Sequence, residues 1–315
     1  MDILGWPELH DKHYGEVPFL LDPFIPERSI VLMWAGTSIG KSPVSWRMAQ
    51  AVGEGENFFG LPTKKARVLY IEVDTPEMVI APRIKKLAPS SNVWWLFSKP
   101  LGLPNPSQEQ HEMLKNAQRE IHPDLVFFNT LRKIHDMDDK DSKTPKMVYG
   151  YCQDMFPKSA LFFIHHEKKK PSDPKSFFHE KEGFSGSMHW LDDAQVGLQL
   201  EKYKVKGDKS NLRLCHRKSQ VSPTLKPLPL KLWKDGSSLY SPLYDHLAKV
   251  YEIVAVVPEG EEAKEKSALD KEIMDALKVS LSTARRLRYT VEEGRFPGSR
   301  GFLEKTIEDE EDEEE

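Results

Sequence analysis

The feature that most constrains this chain is a short loop motif near its start. The residues Ala35-Gly36-Thr37-Ser38-Ile39-Gly40-Lys41-Ser42 follow an apolar run over 30–34 and precede a helix-forming run. They fit the pattern G-x-x-x-x-G-K-[ST], except that Ala35 stands where the first glycine is usual. Loops of this kind hold phosphate groups with backbone N–H groups at the start of a helix. The motif therefore predicts a strand, a phosphate-binding loop and a helix in succession.

The pattern gives each loop residue a role in binding ATP and Mg²⁺, which we predict as the cofactors. Lys41 is expected to reach the β- and γ-phosphates, and Ser42 to hold the metal ion. The remaining nucleotide-binding residues are expected to approach the phosphates through their backbone: Gly36, Thr37, Ser38, Ile39 and Gly40. The alternative is an ordinary strand–turn–helix connection that carries Lys and Ser by chance. The regular pattern of the following residues argues against it.

Apolar runs alternate with helical periods through the first two thirds of the chain. Strands are predicted at 30–34, 67–73, 92–97, 124–128 and 160–164, and helices at 43–52, from about residue 75, at 108–121 and at 146–155. Because each strand is nearly all apolar, we expect a mostly parallel sheet covered on both faces, hence an α/β fold. Alternating patterns at 195–202 and 211–216 predict antiparallel strands at one edge.

The 315 residues are long enough for one large domain and a small one. We predict an N-terminal arm over 1–28, an ATPase core over 29–235, a linker over 236–263, a small domain over 264–306 and an acidic tail over 307–315. The run Glu308 to Glu315 is wholly acidic, and without it the formal net charge changes from -4 to +4. Such a tail is expected to be disordered; it either solubilises the chain or competes with nucleic acid for basic surface.

Composition favours a soluble, cytoplasmic protein without a membrane partner. Cys152 and Cys215 form no disulfide framework or metal spacing, which suits a reducing compartment. The chain has no apolar run of roughly 20 residues, and its start lacks the pattern of a signal peptide.

Polar residues at predicted strand ends are candidates for catalysis. Glu72 and Asp74 lie two residues apart and are expected on one side of the sheet, where a carboxylate polarises the attacking water. Asn129 ends the fourth strand, where P-loop enzymes usually have an Asp that helps to hold Mg²⁺. The fifth strand ends in His165 and His166, which are candidates for sensing the γ-phosphate. Hydrated or structural roles are the alternatives at each position.

Taken together, these segments resemble the RecA-like P-loop ATPases of the RepA-type hexameric replicative helicase family. The resemblance covers roughly residues 18–220 and rests on the loop motif followed by VLYIEVD, PDLVFFNTLRKIH, ALFFIHHEKKK and GFSGSMHWLDDAQVGLQLEK. It implies a RecA-like core and a homo-oligomeric ring, usually a hexamer. It also implies ATP bound between subunits and single-stranded DNA in the channel.

The resemblance also implies roles for individual residues. Asp74 falls on the catalytic carboxylate, usually Glu, and Asn129 falls on the metal-associated Asp. His166 falls on a sensor histidine, and Arg217 or Lys218 is a basic group offered to a neighbour's γ-phosphate. The departures at 74 and 129 bear on the rate of hydrolysis more than on nucleotide binding.

Two segments are predicted to bind DNA. The polar loop after His166 lies where the family has a DNA-contacting loop, although it also fits a solvated mobile loop. Its candidate residues are Lys168, Lys169, Lys170, Phe177 and Phe178. The C-terminal unit resembles a winged helix-turn-helix, with helices at 268–277 and 283–292 and Ser282 as the N-cap. Arg285, Arg286 and Arg288 lie on its second helix, which suits duplex DNA; a protein-docking appendage is the alternative.

The sequence thus predicts a DNA-dependent ATPase of helicase or recombination type. A nucleotide-gated DNA-binding regulator or loading adaptor with little hydrolysis is the rival hypothesis, favoured by Asn129 and by the C-terminal unit. A P-loop protein that serves only as an assembly scaffold is the third.

Overall fold

The computed structural model describes residues 5–7, 17–85, 87, 89–167, 187–202, 211–232, 239–240, 249–250, 253–254 and 266–292. Their strands are β1 Phe19–Leu21, β2 Ile25–Pro26, β3 Ile30–Ala35, β4 Val68–Glu72, β5 Val93–Phe97, β6 Leu125–Asn129, β7 Ala160–His166, β8 Val196–Lys202, β9 Asn211–Ser219, β10 Leu228–Leu232 and β11 Leu239–Tyr240. Their helices are α1 Lys41–Glu54, α2 Glu77–Ile84, α3 Gln108–Ile121, α4 Leu131–Ile134, α5 Lys143–Met155, α6 His189–Asp192, α7 Lys266–Leu277 and α8 Leu281–Glu292.

Within the described residues, nine strands form one sheet in the order β11-β10-β9-β8-β3-β7-β6-β4-β5. The strands from β8 to β5 are parallel, and β9, β10 and β11 extend the sheet in antiparallel fashion. The predicted α/β class with a mostly parallel sheet is confirmed. One detail differs: β8, expected at an antiparallel edge, runs parallel to β3 and is antiparallel only to β9. Its crossover from β7 through α6 allows that direction.

Both faces of the sheet are covered, as the apolar strands predict. In β3, Val31 and Met33 pack into one core cluster, while Leu32 and Trp34 pack into the other. This alternation follows from the two-residue period of a strand. Helix α1 covers the first face, and helices α3, α5 and α6 cover the second. The carboxyl ends of the parallel strands therefore lie at the same end of the sheet as the loop motif, which directly follows β3.

Strands lie in two segments that were predicted as an arm and a linker. The strands β1 and β2 form a hairpin in the predicted arm, and its residues Leu21, Phe24 and Ile25 are fully buried. The pairing of β11 with β10 carries the sheet into the predicted linker. No helix among the described residues is long and apolar enough to cross a membrane.

At the C-terminus, α7 and α8 pack through Ile273, Ala284, Leu287 and Val291. Helix α8 begins earlier than predicted, because the Ser280 hydroxyl, not that of Ser282, accepts a hydrogen bond from the N–H of Thr283 at 3.3 Å. The predicted wing after residue 292 and the acidic tail lie outside the described residues.

Candidate nucleotide-binding site

The loop between β3 and α1 has the backbone of a tight phosphate-binding turn. Ser38 and Gly40 have φ angles of 57° and 119°. The second angle strongly favours glycine, so the backbone requires Gly40. At Gly36 a Cβ atom would lie 2.7 Å from Ile39 Cδ1, so a larger residue there would require the Ile39 side chain to shift. The loop leads directly into α1, whose first two residues are Lys41 and Ser42.

Lys41 folds back over this loop. Its Nζ donates to the carbonyl oxygens of Ala35 at 3.1 Å and Gly36 at 2.9 Å, and it lies 3.4 Å from His166 Nδ1. Burial lowers the pKa of Lys41 to about 8, although the charges of Asp74 and Glu167 oppose that shift. A partly desolvated ammonium group that donates to neutral carbonyl oxygens is well suited to exchange them for phosphate oxygens.

The two candidate carboxylates, Glu72 and Asp74, occupy different environments. Glu72 ends β4 and is 1% exposed, with both oxygens engaged in hydrogen bonds. Asp74 lies beyond the strand, so the two-residue period used to place it beside Glu72 does not apply. Its Oδ1 forms an ion pair with Lys133 Nζ at 2.8 Å, and its side chain is about one third exposed. Asp74 is therefore the accessible carboxylate of the two.

Glu72 is connected to the neighbouring strand end. Its Oε1 accepts from the N–H groups of Asp74 at 2.9 Å and Thr75 at 3.0 Å, and its Oε2 accepts from Asn129 Nδ2 at 2.6 Å. Burial raises the pKa of Glu72, and the three donated hydrogen bonds oppose this shift. These contacts indicate that Glu72 holds its neighbours in place.

Asn129 tests whether the site fits a metal ion. The residue is 3% exposed, and its Oδ1 is buried without a hydrogen-bond partner among the described residues. An amide oxygen left in this state needs a partner such as a metal-bound water. Ser42 supplies a hydroxyl at the start of α1. The described residues therefore fit Mg²⁺, which the P-loop pattern implies.

The two histidines at the end of β7 separate as expected for neighbouring strand residues. His165 is fully buried, with its ring centroid 6.4 Å from that of Trp190, so its position indicates a structural role. His166 lies beside Lys41, and burial and the Lys41 charge lower its pKa. The described residues contain no cluster of three or more His, Cys, Asp or Glu side chains that would hold a metal.

The predicted basic residues of β9 are engaged within the chain. Arg217 donates to Gln199 Oε1 at 2.8 Å and pairs with Glu201. Lys218 Nζ donates to the carbonyl oxygens of Leu191 and Asp192, each at 2.8 Å. Lys218 thus binds the end of α6, whereas Arg217 has a side chain that is 44% exposed at the surface.

The predicted DNA-binding residues fall into three groups: buried, exposed, and outside the described residues. Arg288 is buried and donates to Asp270 Oδ1 at 2.7 Å, so it joins α7 to α8 and is not available to DNA. Arg285 contacts the same carboxylate at 3.2 Å but has an exposed side chain, and Arg286 is exposed. The loop residues Lys168, Lys169, Lys170, Phe177 and Phe178 lie outside the described residues.

Two charged residues of the site escaped the sequence analysis. Lys133 pairs with Asp74 from α4, and Glu167 accepts from Gln199 Nε2 at 3.2 Å beside the loop. Glu167 directly follows the candidate histidines, which is a signal that could have been used. Lys133 had no such signal, because only the packing of α4 brings it to the end of β4.

Residues 14–172, which include the loop motif and the strands β1 to β7, match the family described as the AAA domain. The chain belongs to the AAA domain family. No curated protein matches the chain.

Solved structures place this AAA domain among RecA-like ATPase folds. The structure titled "ATPase Domain of G40P" has a TM-score of 0.52 and 11% identity, over 75% of this chain and 95% of that one. The structure of a DnaB-like replicative helicase, described with its interactions with primase, also has a TM-score of 0.52 and 11% identity. The match covers 74% of this chain and 66% of that one. At such identities the likeness shows a shared fold. This AAA domain thus shares the fold of those ATPase and helicase structures.

Proposed function

We propose that this AAA domain protein is a DNA-dependent ATPase of the helicase or recombination type, acting in the cytoplasm. The observation that carries the proposal is Lys41, a partly desolvated ammonium group held over a phosphate-binding turn at the carboxyl edge of a parallel sheet. Ligands of open parallel sheets bind at this edge. ATP is the ligand, with its β- and γ-phosphates at Lys41.

The other residues of the site bind the metal ion, orient the attacking water and sense the γ-phosphate. When bound, Mg²⁺ neutralises charge on the β- and γ-phosphates. Ser42 and the Asn129 oxygen hold the ion or its waters. Asp74 orients the attacking water and is itself steadied by Lys133. His166, in contact with Lys41, senses whether the γ-phosphate is present.

Single-stranded DNA and neighbouring subunits are the proposed partners. The resemblance to RepA-type helicases supports a ring, with Arg217 or Lys218 offered to the ATP of a neighbour. Arg217 has to leave Glu201 to do so, and Lys218 has to leave α6. The loop with Lys168, Lys169, Lys170, Phe177 and Phe178 is the proposed single-strand contact, and the C-terminal unit is a proposed duplex contact.

A second candidate function is a nucleotide-gated DNA-binding regulator or loading adaptor. The observation that favours it is Asn129, a neutral amide where an Asp is usual. A weaker metal site slows hydrolysis more than it weakens nucleotide binding. The same chain would then change its DNA affinity with ATP without rapid turnover.

The deciding experiment is ATP turnover with and without single-stranded DNA, with Lys41→Ala as the inactive control. Turnover that single-stranded DNA stimulates supports the ATPase proposal. ATP binding that alters DNA affinity without turnover supports the regulator. The absence of ATP binding contradicts both.

The ring is tested by mixing subunits. Lys41→Ala and Arg217→Ala/Lys218→Ala proteins should each be inactive, and their mixture should regain part of the turnover because some interfaces hold both intact halves. Each protein first needs a native unfolding profile, because Lys218 binds α6 within its own chain. A protein that stays monomeric by light scattering with ATP and DNA contradicts the shared site.

A further inference from the structure

The end of β6 carries the neutral Asn129 where a carboxylate is expected, and the end of the neighbouring strand β4 carries the carboxylate of Glu72. Glu72 and Asn129 face each other in the parallel register of these two strands. Their side chains are joined by the 2.6 Å hydrogen bond from Asn129 Nδ2 to Glu72 Oε2. Both residues are almost wholly buried, so the pair is shielded from solvent. Residue 129 has no carboxylate, but the carboxylate of Glu72 on the neighbouring strand is in direct contact with Asn129.

The hydrogen bonds fix which atom of Asn129 faces Glu72. All three partners of Glu72 are N–H donors, and an ionised carboxylate is the acceptor that can receive them all. Because the amide nitrogen of Asn129 is held there, its Oδ1 is directed away from Glu72. That oxygen is the buried atom without a partner among the described residues. A charged acceptor on one side of an amide makes the opposite oxygen a stronger acceptor.

We propose that Glu72 is a positioning residue that orients and polarises Asn129, so that the pair together replaces the metal-associated Asp for the Mg²⁺ of bound ATP. This inference rests on the proposed function, because it concerns the metal ion that accompanies ATP. It assigns to Glu72 a part in metal binding without direct contact with the metal or the water.

The pair makes an unusual prediction about substitutions. In Glu72→Gln, the oxygen of the new side chain is kept by the backbone N–H groups of Asp74 and Thr75, and its NH₂ group faces Asn129. The Asn129 amide then turns its oxygen toward that NH₂ group and presents its own NH₂ to the metal. In Asn129→Asp, two carboxylates meet at a hydrogen-bond distance, so they repel or share a proton. Only the double variant Glu72→Gln/Asn129→Asp restores a donor–acceptor pair with an oxygen for the metal.

The experiment compares ATP affinity in Mg²⁺ and in EDTA for the wild type, both single variants and the double variant. The dissociation constant in EDTA divided by that in Mg²⁺ measures how strongly Mg²⁺ supports ATP binding, and a larger ratio means stronger support. Glu72→Gln should lower that ratio by about 10-fold, as expected for a group that orients a metal ligand. The double variant should recover the wild-type ratio or exceed it. Asn129→Asp alone should not raise the ratio.

Asp124→Asn is the matched control, because it replaces a carboxylate by an amide, as Glu72→Gln does. Asp124 lies at the opposite end of β6, where it accepts a hydrogen bond from the Arg67 N–H. It should leave the ratio unchanged, and unfolding curves should show that all variants fold. If Glu72→Gln keeps the wild-type ratio, or the folded double variant is no better than Glu72→Gln, the inference is overturned. Should Glu72→Gln not fold, a folded double variant with a ratio below wild type overturns it equally. If the wild type binds no ATP in Mg²⁺ or in EDTA, the proposed function fails and the inference fails with it.

Discussion

The Nζ atom of Lys41 and the Nδ1 atom of His166 lie 3.4 Å apart. One residue begins α1 and the other ends β7, so the contact joins the phosphate-binding loop to the neighbouring strand of the sheet. The positive charge of Lys41 is one cause of the lowered pKa of His166, after burial. His166 is therefore kept neutral beside a cation, and phosphate oxygens that draw Lys41 away alter its surroundings directly.

Replacing the P-loop lysine should separate nucleotide binding from folding. Lys41→Ala removes a charged partner of the phosphates, and we expect ATP affinity to fall by about 10-fold or more. Calorimetric titration of ATP measures this change, with unfolding curves as the test of structure. Lys64→Ala is the control, because the Lys64 side chain forms a surface ion pair with Glu27. Near-normal affinity in a folded Lys41→Ala protein would falsify the P-loop assignment.

Asp74 should affect turnover and not binding. Asp74→Asn keeps the size of the side chain but removes the charge that we propose orients the attacking water, so turnover should fall by about 100-fold or more. Lys133→Ala should have a smaller effect, since it leaves the Asp74 carboxylate in place and removes only the Lys133 contacts with Asp74. Single-turnover ATP hydrolysis alongside ATP titration distinguishes the two steps. Equal turnover in Asp74→Asn and wild type would remove Asp74 from the catalytic role.

The arginines of α8 should divide into two classes. Arg288→Ala leaves Asp270 without its closest partner but still in contact with Arg285, so the unfolding free energy should fall by roughly 2 kcal/mol. Arg286→Ala should leave stability unchanged and weaken duplex DNA binding, with a salt slope smaller by about 1 for each lost phosphate contact. Fluorescence anisotropy at several salt concentrations measures the second effect. Unaltered duplex affinity in an Arg286→Ala/Arg285→Ala protein would argue for the protein-docking alternative.

His216 should make the protein sensitive to acid. It is buried against Phe24, with ring centroids 5.4 Å apart, and burial lowers its pKa from 6.5 to about 4. Between pH 6.5 and 4, His216 is therefore protonated in the unfolded chain and neutral in the folded chain. Stability is full above pH 6.5 and falls as the pH drops, by about 2 kcal/mol at pH 5.

The measurement for His216 is urea unfolding of wild type and His216→Gln at pH 7 and pH 5. The variant should lose less stability than the wild type between these two values, because Gln does not titrate. Identical losses in both proteins would show that other groups cause the acid sensitivity.

The sequence by itself determined the α/β class, the phosphate-binding loop and most of the strands and helices. These features are local: the loop pattern needs eight consecutive residues, and apolar runs show buried strands without knowledge of their neighbours. The helix predicted at 108–121 has the bounds of α3, because its Ser107 cap and Gln110 partner are also local. The family resemblance used the order of such local segments.

Only the tertiary structure decided what the polar residues do. Glu72 and Asn129 are 57 residues apart, and Arg288 and Asp270 are 18 apart, so their hydrogen bonds depend on which strands and helices become neighbours. Sequence spacing placed Glu72 with Asp74 and Arg288 with Arg286, whereas packing buried Glu72 and Arg288, left Asp74 partly accessible and exposed Arg286. Burial removes water from a polar group and obliges it to find a partner, and that partner is chosen by the fold.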